Sequence, residues 1–442
     1  MNRLNPPQMF LQPRSKDKRI VAEALGHYDG FQVSATVPAA TLSHIRDIGK
    51  PFFVDPMAYM FALPPDATID PKTQKVRSGV SVLANRYGSL LKTIAGKRAL
   101  SAGDFLKYRD AIDEVTDNAL AYAREKLGAG DINLFNPYLD KYAQLAMDGD
   151  DIPHSSTAIT PWALIPPYFH FSDIDSDWYR VSLACARAAV RHKRDREALF
   201  PTIFMSPDIL DFKGNIDQIL LDFDEPSFDG YFIWINDFSE EGASPERLAN
   251  LIRLVSGLKA LGKRVFKFHG GFFSILIHDL GLDGFSCGLG GRTDRNVFSY
   301  KWVAPKKPIL PKFYVPSLHR VYPLEEAAQL MKMFPFLRCQ CAACSESYGN
   351  NLDAFTNQMK EPGYCERHFL NVRKQEVVAA LAGTSAMVEQ LSETISQFTR
   401  KNAPGTRHLT KWRELLASPQ LFAPVRQSLQ ERASPTFLPS IH

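Results

Sequence analysis

Gly230-Tyr231-Phe232-Ile233-Trp234-Ile235-Asn236-Asp237 is followed by Ser244-Pro245-Glu246, which opens an amphipathic stretch to Leu261, and then by Arg264-Val265-Phe266-Lys267-Phe268-His269. The first and third runs are rich in β-branched and aromatic residues and read as strands. Ser244, Pro245 and Glu246 occupy the N-cap, N1 and N2 positions of the helix between them. Working outward, similar apolar runs lie at Phe31–Val37, Pro51–Asp55, Ala163–His170, Leu199–Ser206, Gly284–Gly288 and Pro311–Val315. Strands alternating with helices predict a parallel α/β sheet, and eight of them fit a (β/α)8 TIM barrel. A doubly wound open sheet is the competing architecture.

The interval from Pro56 to Trp162 is too long for a simple crossover. Helical patterns at Ala102–Leu127 and Pro137–Met147 make it a helical insertion after the second expected strand. The organisation expected is an N-terminal segment (1–30), a catalytic barrel (31–335) with its insertion at 95–150, a metal-binding subdomain with a helix from Glu366 to Thr399 (336–400), and a C-terminal helix and tail (401–442).

The chain has 442 residues, 45% of them hydrophobic and 23% charged, which is ordinary for a soluble globular protein. No run suits a signal peptide or a membrane span, so no membrane partner is expected. A net charge of +4 permits nucleic acid as a partner without requiring it.

Four of the six cysteines cluster late in the chain, as Cys339-Gln340-Cys341-Ala342-Ala343-Cys344 and Cys365, with His368 close behind. Cys-x-Cys-x2-Cys with a following His or Cys supplies the ligands of a closed tetrahedral Zn2+ site of structural type. His368, at the start of the expected helix, is preferred as fourth ligand over Cys365. Cysteines kept free for metal imply a reducing, cytoplasmic compartment.

In a barrel, polar residues at the C-terminal strand ends are the first catalytic candidates. Here these are Asp55, His170, Asn236, Asp237, His269 and the loop Ser286-Cys287-Gly288-Leu289-Gly290-Gly291-Arg292-Thr293-Asp294-Arg295. A glycine-rich loop with two arginines can cradle a phosphate through N–H groups and guanidinium forks. Tyr59, Tyr168, Phe272 and Phe273 are placed to stack on a base or to fill the core.

These landmarks, in this order, resemble the tRNA-guanine transglycosylase superfamily, zinc-bearing (β/α)8 barrels that break a base–ribose N-glycosidic bond. Val54-Asp55-Pro56-Met57 stands at the family's Asp-Ser-Gly-Gly turn. Ser286 to Asn296 aligns without a gap on Asp-Cys-Val-Leu/Met-Pro-Thr-Arg-x-Ala-Arg-Asn, matching at Cys287, Leu289, Arg292, Arg295 and Asn296. The Cys-x-Cys-x2-Cys…His motif follows. The resemblance covers residues 31–315 and the zinc segment to about Gly383, and leaves out the insertion.

The departures redirect the expectation. In the family the Asp of the arginine-loop motif attacks the anomeric carbon, and here Ser286 stands in its place. The resemblance leaves Asp55 as the acid/base, with Asp237 the best-placed substitute carboxylate. Ser286, Arg292, Arg295, His269, Asn236 and Tyr59 are the expected substrate-binding residues, and Cys339, Cys341, Cys344 and His368 the metal ligands. A lost nucleophile beside a retained Asp implies hydrolytic removal of a modified base from DNA, as in the DNA-acting branch that includes 7-deazaguanine inserters and antiviral glycosylases acting on glucosylated hydroxymethylcytosine. Base flipping into the barrel mouth would precede it. Exchange of a base for a 7-deazaguanine in DNA or tRNA, and a non-catalytic zinc-bearing subunit of a transglycosylase, are the alternatives. The resemblance also allows a homodimer.

Overall fold

A computed structural model describes residues 5–13, 17–37, 45, 48–108, 110–126, 160–290, 294–299, 311–349 and 351–418. Seven apolar runs form one sheet of β1 (Gln8–Leu11), β2 (Gly30–Ser34), β3 (Phe52–Asp55), β4 (Thr202–Met205), β5 (Gly230–Ile235), β6 (Arg264–Lys267) and β7 (Gly284–Cys287). Their order is β3-β2-β1-β7-β6-β5-β4, and every pairing is parallel. Helices Lys213–Asp222 and Pro245–Ala260 make the crossovers from β4 to β6. Every residue of β5 is buried, as expected of a parallel strand covered on both faces. Ser244 accepts the Arg247 N–H at the predicted helix start, with Pro245 behind it.

The sheet is curled. Phe53 on β3 and Phe232 on β5 stand far apart in the strand order, yet their ring centroids are 4.5 Å apart. Phe10 on β1 joins them at 5.1 Å from Phe53, and Phe266 on β6 at 5.7 Å from Phe232. Aromatic rings from four strands therefore fill the concave side. Three strands open on glycine for want of room: a Cβ on Gly30 would stand 2.3 Å from the Pro51 carbonyl, one on Gly230 2.6 Å from the Arg264 carbonyl, and one on Gly284 2.4 Å from the Gln8 carbonyl.

Residues 162–171 run along the open side of this curl. Ala163 bridges in parallel to Phe53, and Leu164 and Phe171 bridge in parallel to Leu199 and Met205. Trp162 N–H donates to the Phe52 carbonyl at 2.7 Å, and Leu164 N–H to the Ala198 carbonyl at 2.8 Å. The expected strand Ala163–His170 is thus present as isolated bridges and not as a regular strand.

Three expectations need correction. Residues 1–30 are not a separate segment, because β1 lies between β2 and β7. Prolines on either side of its four residues disguise it as a tail. Pro311–Val315 is not a strand of the parallel sheet: β8 (Lys312–Val315) pairs antiparallel with β9 (Arg320–Pro323) in a ribbon of its own. The helix expected over Glu366–Thr399 breaks into Tyr364–Ala379 and Gly383–Arg400. Gly383 takes φ 84°, and the Thr384 N–H donates to Asp279 at 2.9 Å.

The insertion is helical where described, with helices at Ser78–Tyr87, Ser89–Ile94, Ala102–Lys107 and Ala111–Glu125. The single helix expected over Ala102–Leu127 is divided at extended Tyr108, after a capping box of Ser101 and Asp104. Pro137–Met147 lies outside the described residues. Among the described residues no helix is long and apolar enough to cross a membrane.

If β1 is integral to the sheet, Phe10→Ala should cost about 3–5 kcal/mol in chemical denaturation, the range for emptying a buried aromatic site. A loss below about 1 kcal/mol would return the segment to the status of a tail.

Candidate functional site

Asp55 ends β3 with 2% of its surface exposed. Its Oδ1 accepts the Tyr168 hydroxyl at 2.7 Å and the Met57 N–H at 3.0 Å. Burial raises its carboxyl pKa. The Tyr168 bond, the Arg295 charge, the Met57 N–H and a bond from Gln32 act in the opposite direction without cancelling it. Tyr168 is pushed well above the ordinary phenol range by burial and by Asp55, so it remains a donor.

The polar groups continue along neighbouring strand ends. The Gln12 amide donates to Gln32 Oε1 and, at 3.4 Å, to Ser286 Oγ on β7. Ser286 Oγ also accepts the His269 backbone N–H at 3.3 Å. Burial, with Arg295 and Lys267 nearby, holds the His269 imidazole well below its usual pKa, so it is neutral. Its Nε2 has no hydrogen-bond partner among the described residues. Lys267 itself is buried against Glu240 at 3.0 Å, and Glu240 also accepts the Gly271 N–H, tying the loops after β5 and β6 together.

Arg295 joins this cluster. Its guanidinium lies 5.5 Å from the Trp234 ring centroid and close enough to Asp55 to favour the carboxylate. Asn236 and Asp237 anchor its loop. Asn236 Oδ1 accepts the Val297 N–H at 2.9 Å, the Asp237 N–H donates to the Arg295 carbonyl at 2.9 Å, and Asp237 Oδ2 accepts from Asn296 at 2.9 Å. Asp237 is exposed, and no hydrogen bond or ion pair joins it to Asp55 among the described residues. Arg292 lies outside the described residues. His170 stands to one side, its Nε2 3.1 Å from Ser206 Oγ.

A cavity of about 200 Å³ is walled by Met57, Tyr59, Met60, Leu63, Val80 and Val297, with Arg295 on its lining; Asp55 does not line it and is joined to it through Met57, whose N–H it accepts. Tyr59 packs on Tyr168 and Trp234 at 5.6 and 5.1 Å. Phe272 and Phe273 do not line this cavity; Phe272 stacks on His319, and Phe273 is wholly buried. Gln12 and Gln32 escaped the sequence reading. Gln32 carried one signal, a polar residue inside an otherwise apolar strand. A single buried carboxylate flanked by a guanidinium and a phenol can stabilise positive charge and orient water. It does not form a two-carboxylate site.

A second cluster gathers Cys339, Cys341, Cys344 and His368, whose ligand atoms all lie within 4.8 Å of one another. His368 Nδ1 is 3.3 Å from Cys341 Sγ and 3.2 Å from Cys344 Sγ, while Nε2 donates to the Tyr314 carbonyl at 2.6 Å. That bond fixes the tautomer, leaving the Nδ1 lone pair aimed at the sulfurs, as a metal ligand requires. The ring stacks on Phe313 at 4.0 Å. Three sulfurs and one imidazole nitrogen converging without a fifth donor among the described residues fit a closed metal site. Cys365 is excluded from it, since its thiol donates to the Met359 carbonyl at 3.3 Å.

Cys344→Ser and His368→Ala should each lose bound metal and lower Tm, whereas Cys365→Ser should keep one metal ion per chain. Metal content by mass spectrometry and a melting curve decide it, and equal metal loss in Cys365→Ser would overturn the ligand assignment. No protein-family model matches the chain, and a search of curated proteins gives no match.

Proposed function

We propose that the chain is a DNA glycosylase that hydrolyses the N-glycosidic bond of a modified base and leaves an abasic site. The observation that carries this reading is Asp55, buried at a strand end beside Arg295 and bonded to the Met57 N–H, both of them residues that line an apolar cavity. A nucleotide flipped from the stack brings its anomeric carbon to the carboxylate. As the C–N bond breaks, the bonding pair leaves with the base and positive charge develops on the sugar, where ionised Asp55 stabilises it. Asp55 removes a proton from the attacking water. The resulting hydroxyl bonds to the anomeric carbon, and the proton passes to the departing base. A carboxyl whose pKa is raised by burial is the better proton acceptor for this step.

Hydrolysis is favoured over base exchange because exchange needs a covalent glycosyl-enzyme. Ser286 is held by Gln12 and the His269 N–H, and its hydroxyl has no carboxylate partner among the described residues. Two structural assignments accompany the reading. The bridges of residues 162–171 to β3 and β4 support an eighth stave that closes the curled sheet into a (β/α)8 barrel. The Cys3His group suits structural Zn2+, which would brace the ribbon β8–β9 and take no part in the chemistry.

The test is release of free base from a panel of modified DNAs and bulk tRNA, read by mass spectrometry. Asp55→Asn should cut release by roughly 10² to 10⁴, and unchanged release would sink the assignment. The same variant should be more stable at neutral pH. A carboxyl whose pKa rises on folding gives its full stability below the ordinary carboxylate value and loses it as pH rises through the folded value. Asn suffers no such loss, so the Tm gain should appear above that range and vanish in acid.

A further inference from the structure

We infer that Phe298, with the neutral ring-lined cavity beside it, holds one unpaired nucleobase of a nucleic-acid strand by stacking. The inference rests on the nucleic-acid reading and deepens it, because it assigns a contact to a base and not to sugar or phosphate. The cavity, of about 140 Å³, takes rings from Tyr59, His170, Phe171, Trp178, Phe204 and Phe298. Tyr59, Leu63 and Val297 line it and also the cavity joined to Asp55 through Met57, so the two are neighbours. No Asp, Glu, Lys or Arg lines the ring-lined cavity among the described residues. Burial holds the His170 imidazole down to about 4, which leaves it uncharged at neutral pH. Asp173, Asp175 and Asp177 share a loop with Ser172 and Ser176 but stand outside the lining. An uncharged group is therefore selected here, and a phosphate is not. A dry site of about 150 Å³ takes a benzene-sized ring, so a cavity of about 140 Å³ suits one six-membered ring, the size of a pyrimidine base.

Phe298 is the exposed member of this lining, with 52% of its surface open to solvent. Among the described residues its one ring partner is His170, met edge to face at 4.8 Å. That contact covers no more than one of the two faces of Phe298. The backbone beneath the ring is fixed. Asn296 Oδ1 accepts the Phe298 N–H at 2.9 Å and the Ser299 N–H at 3.3 Å, an Asx turn. The turn is itself anchored, since Asn296 Nδ2 donates to Asp237 at 2.9 Å and the Val297 N–H to Asn236 at 2.9 Å. An aromatic ring already held in place loses little freedom on stacking, and every base offers it a π-face. Phe298 follows Arg295 by three positions, so one loop brings both the guanidinium beside Asp55 and the ring that would hold the strand next to it.

The experiment titrates the full chain into fluorescein-labelled oligodeoxythymidylate, and into an equally long oligomer of abasic residues, by anisotropy at several salt concentrations. Phe298→Ala should weaken binding to the thymidylate roughly 5- to 150-fold, the range for one lost base–aromatic stack. Its salt slope should not change, since no phosphate contact is lost, and neither should its binding to the base-free oligomer. Phe298→Leu keeps the apolar bulk without the aromatic face and should weaken binding as well, whereas Phe298→Trp should retain it. Leu221→Ala removes a side chain that is 71% exposed and lies outside the cavity, and should change nothing. Equal loss on the base-free oligomer, or equal behaviour of the Phe298 and Leu221 variants, overturns the inference. So does failure of the unaltered chain to prefer the thymidylate over the base-free oligomer. Calorimetric binding of N-acetyltyrosinamide but not of thymidine would overturn it in favour of a peptide side chain. Base release is scored separately. Phe298-dependent binding without release from any nucleic acid keeps the stacking site and removes the glycosylase reading; release with an unchanged KM in Phe298→Ala does the reverse.

Discussion

A carboxylate with 2% of its surface exposed must replace its water shell with protein donors, and much of the strand-end architecture follows from supplying them to Asp55. Tyr168 comes from the segment that bridges β3 and β4, Gln32 from β2, and the Met57 N–H from the turn directly after β3. Gln32 is held in turn by Gln12, which follows β1 and reaches Ser286 on β7. Each buried donor or acceptor left unsatisfied would cost about 1–3 kcal/mol. The chain of amides is therefore as much a condition for folding as a feature of the site. It also gives a role to β1 in its place between β2 and β7: without it, the hydrogen-bonded path from β2 to β7 has no middle.

The turn after β3 carries strain for the same reason. Met57 sits at φ 53°, a left-handed conformation that a side chain resists by roughly 1–2 kcal/mol. The Asp55 carboxylate accepts the Met57 N–H and holds the turn in that form, while Tyr59 packs into the aromatic cluster of Tyr168 and Trp234. His269 and Asp237 take the same unusual backbone region at the ends of β6 and β5. Three strained residues at three strand ends of one sheet place the irregular backbone where the polar side chains converge.

Much of this was legible in the sequence, and the exceptions have physical causes. Strand β5 and helix Pro245–Ala260 were plain because a buried parallel strand is uninterrupted in its apolar residues and the helix carries its own cap. Spacing alone identified the cysteine cluster, and His368 was separable from Cys365 by its place on the helix. Strand β1 was hidden because its stability comes from two neighbours distant in sequence and not from its own four residues. The ribbon β8–β9 was misassigned because Lys312–Val315 has the composition of a barrel strand, and only its partner Arg320–Pro323 reveals the pairing. Asn236 and Asp237 were correctly placed at a strand end, but their side chains serve the loop carrying Arg295, a role that depends on a contact across some sixty positions of chain. Gln12 had no signal, since nothing in a polar residue beside a short strand says which side chains it will reach.

The Cys3His group and the polar site around Asp55 are joined in structure. His368 fixes the ribbon by stacking on Phe313 and donating to the Tyr314 carbonyl. At the ribbon's turn His319, itself left-handed at φ 49°, stacks on Phe272 at 3.3 Å and approaches Glu376 at 2.7 Å. Glu376 is ion-paired with buried Arg373 at 2.9 Å and accepts the Tyr314 hydroxyl at 2.7 Å. Phe272 opens the short helix that follows His269, and the Gly271 N–H beside it is held by Glu240. A ligand set that orders helix Tyr364–Ala379 therefore also orders the loop carrying the neutral imidazole. The contacts run from cysteine sulfur to strand end without a break, so a change in the cysteine cluster is felt at the strand end that carries His269.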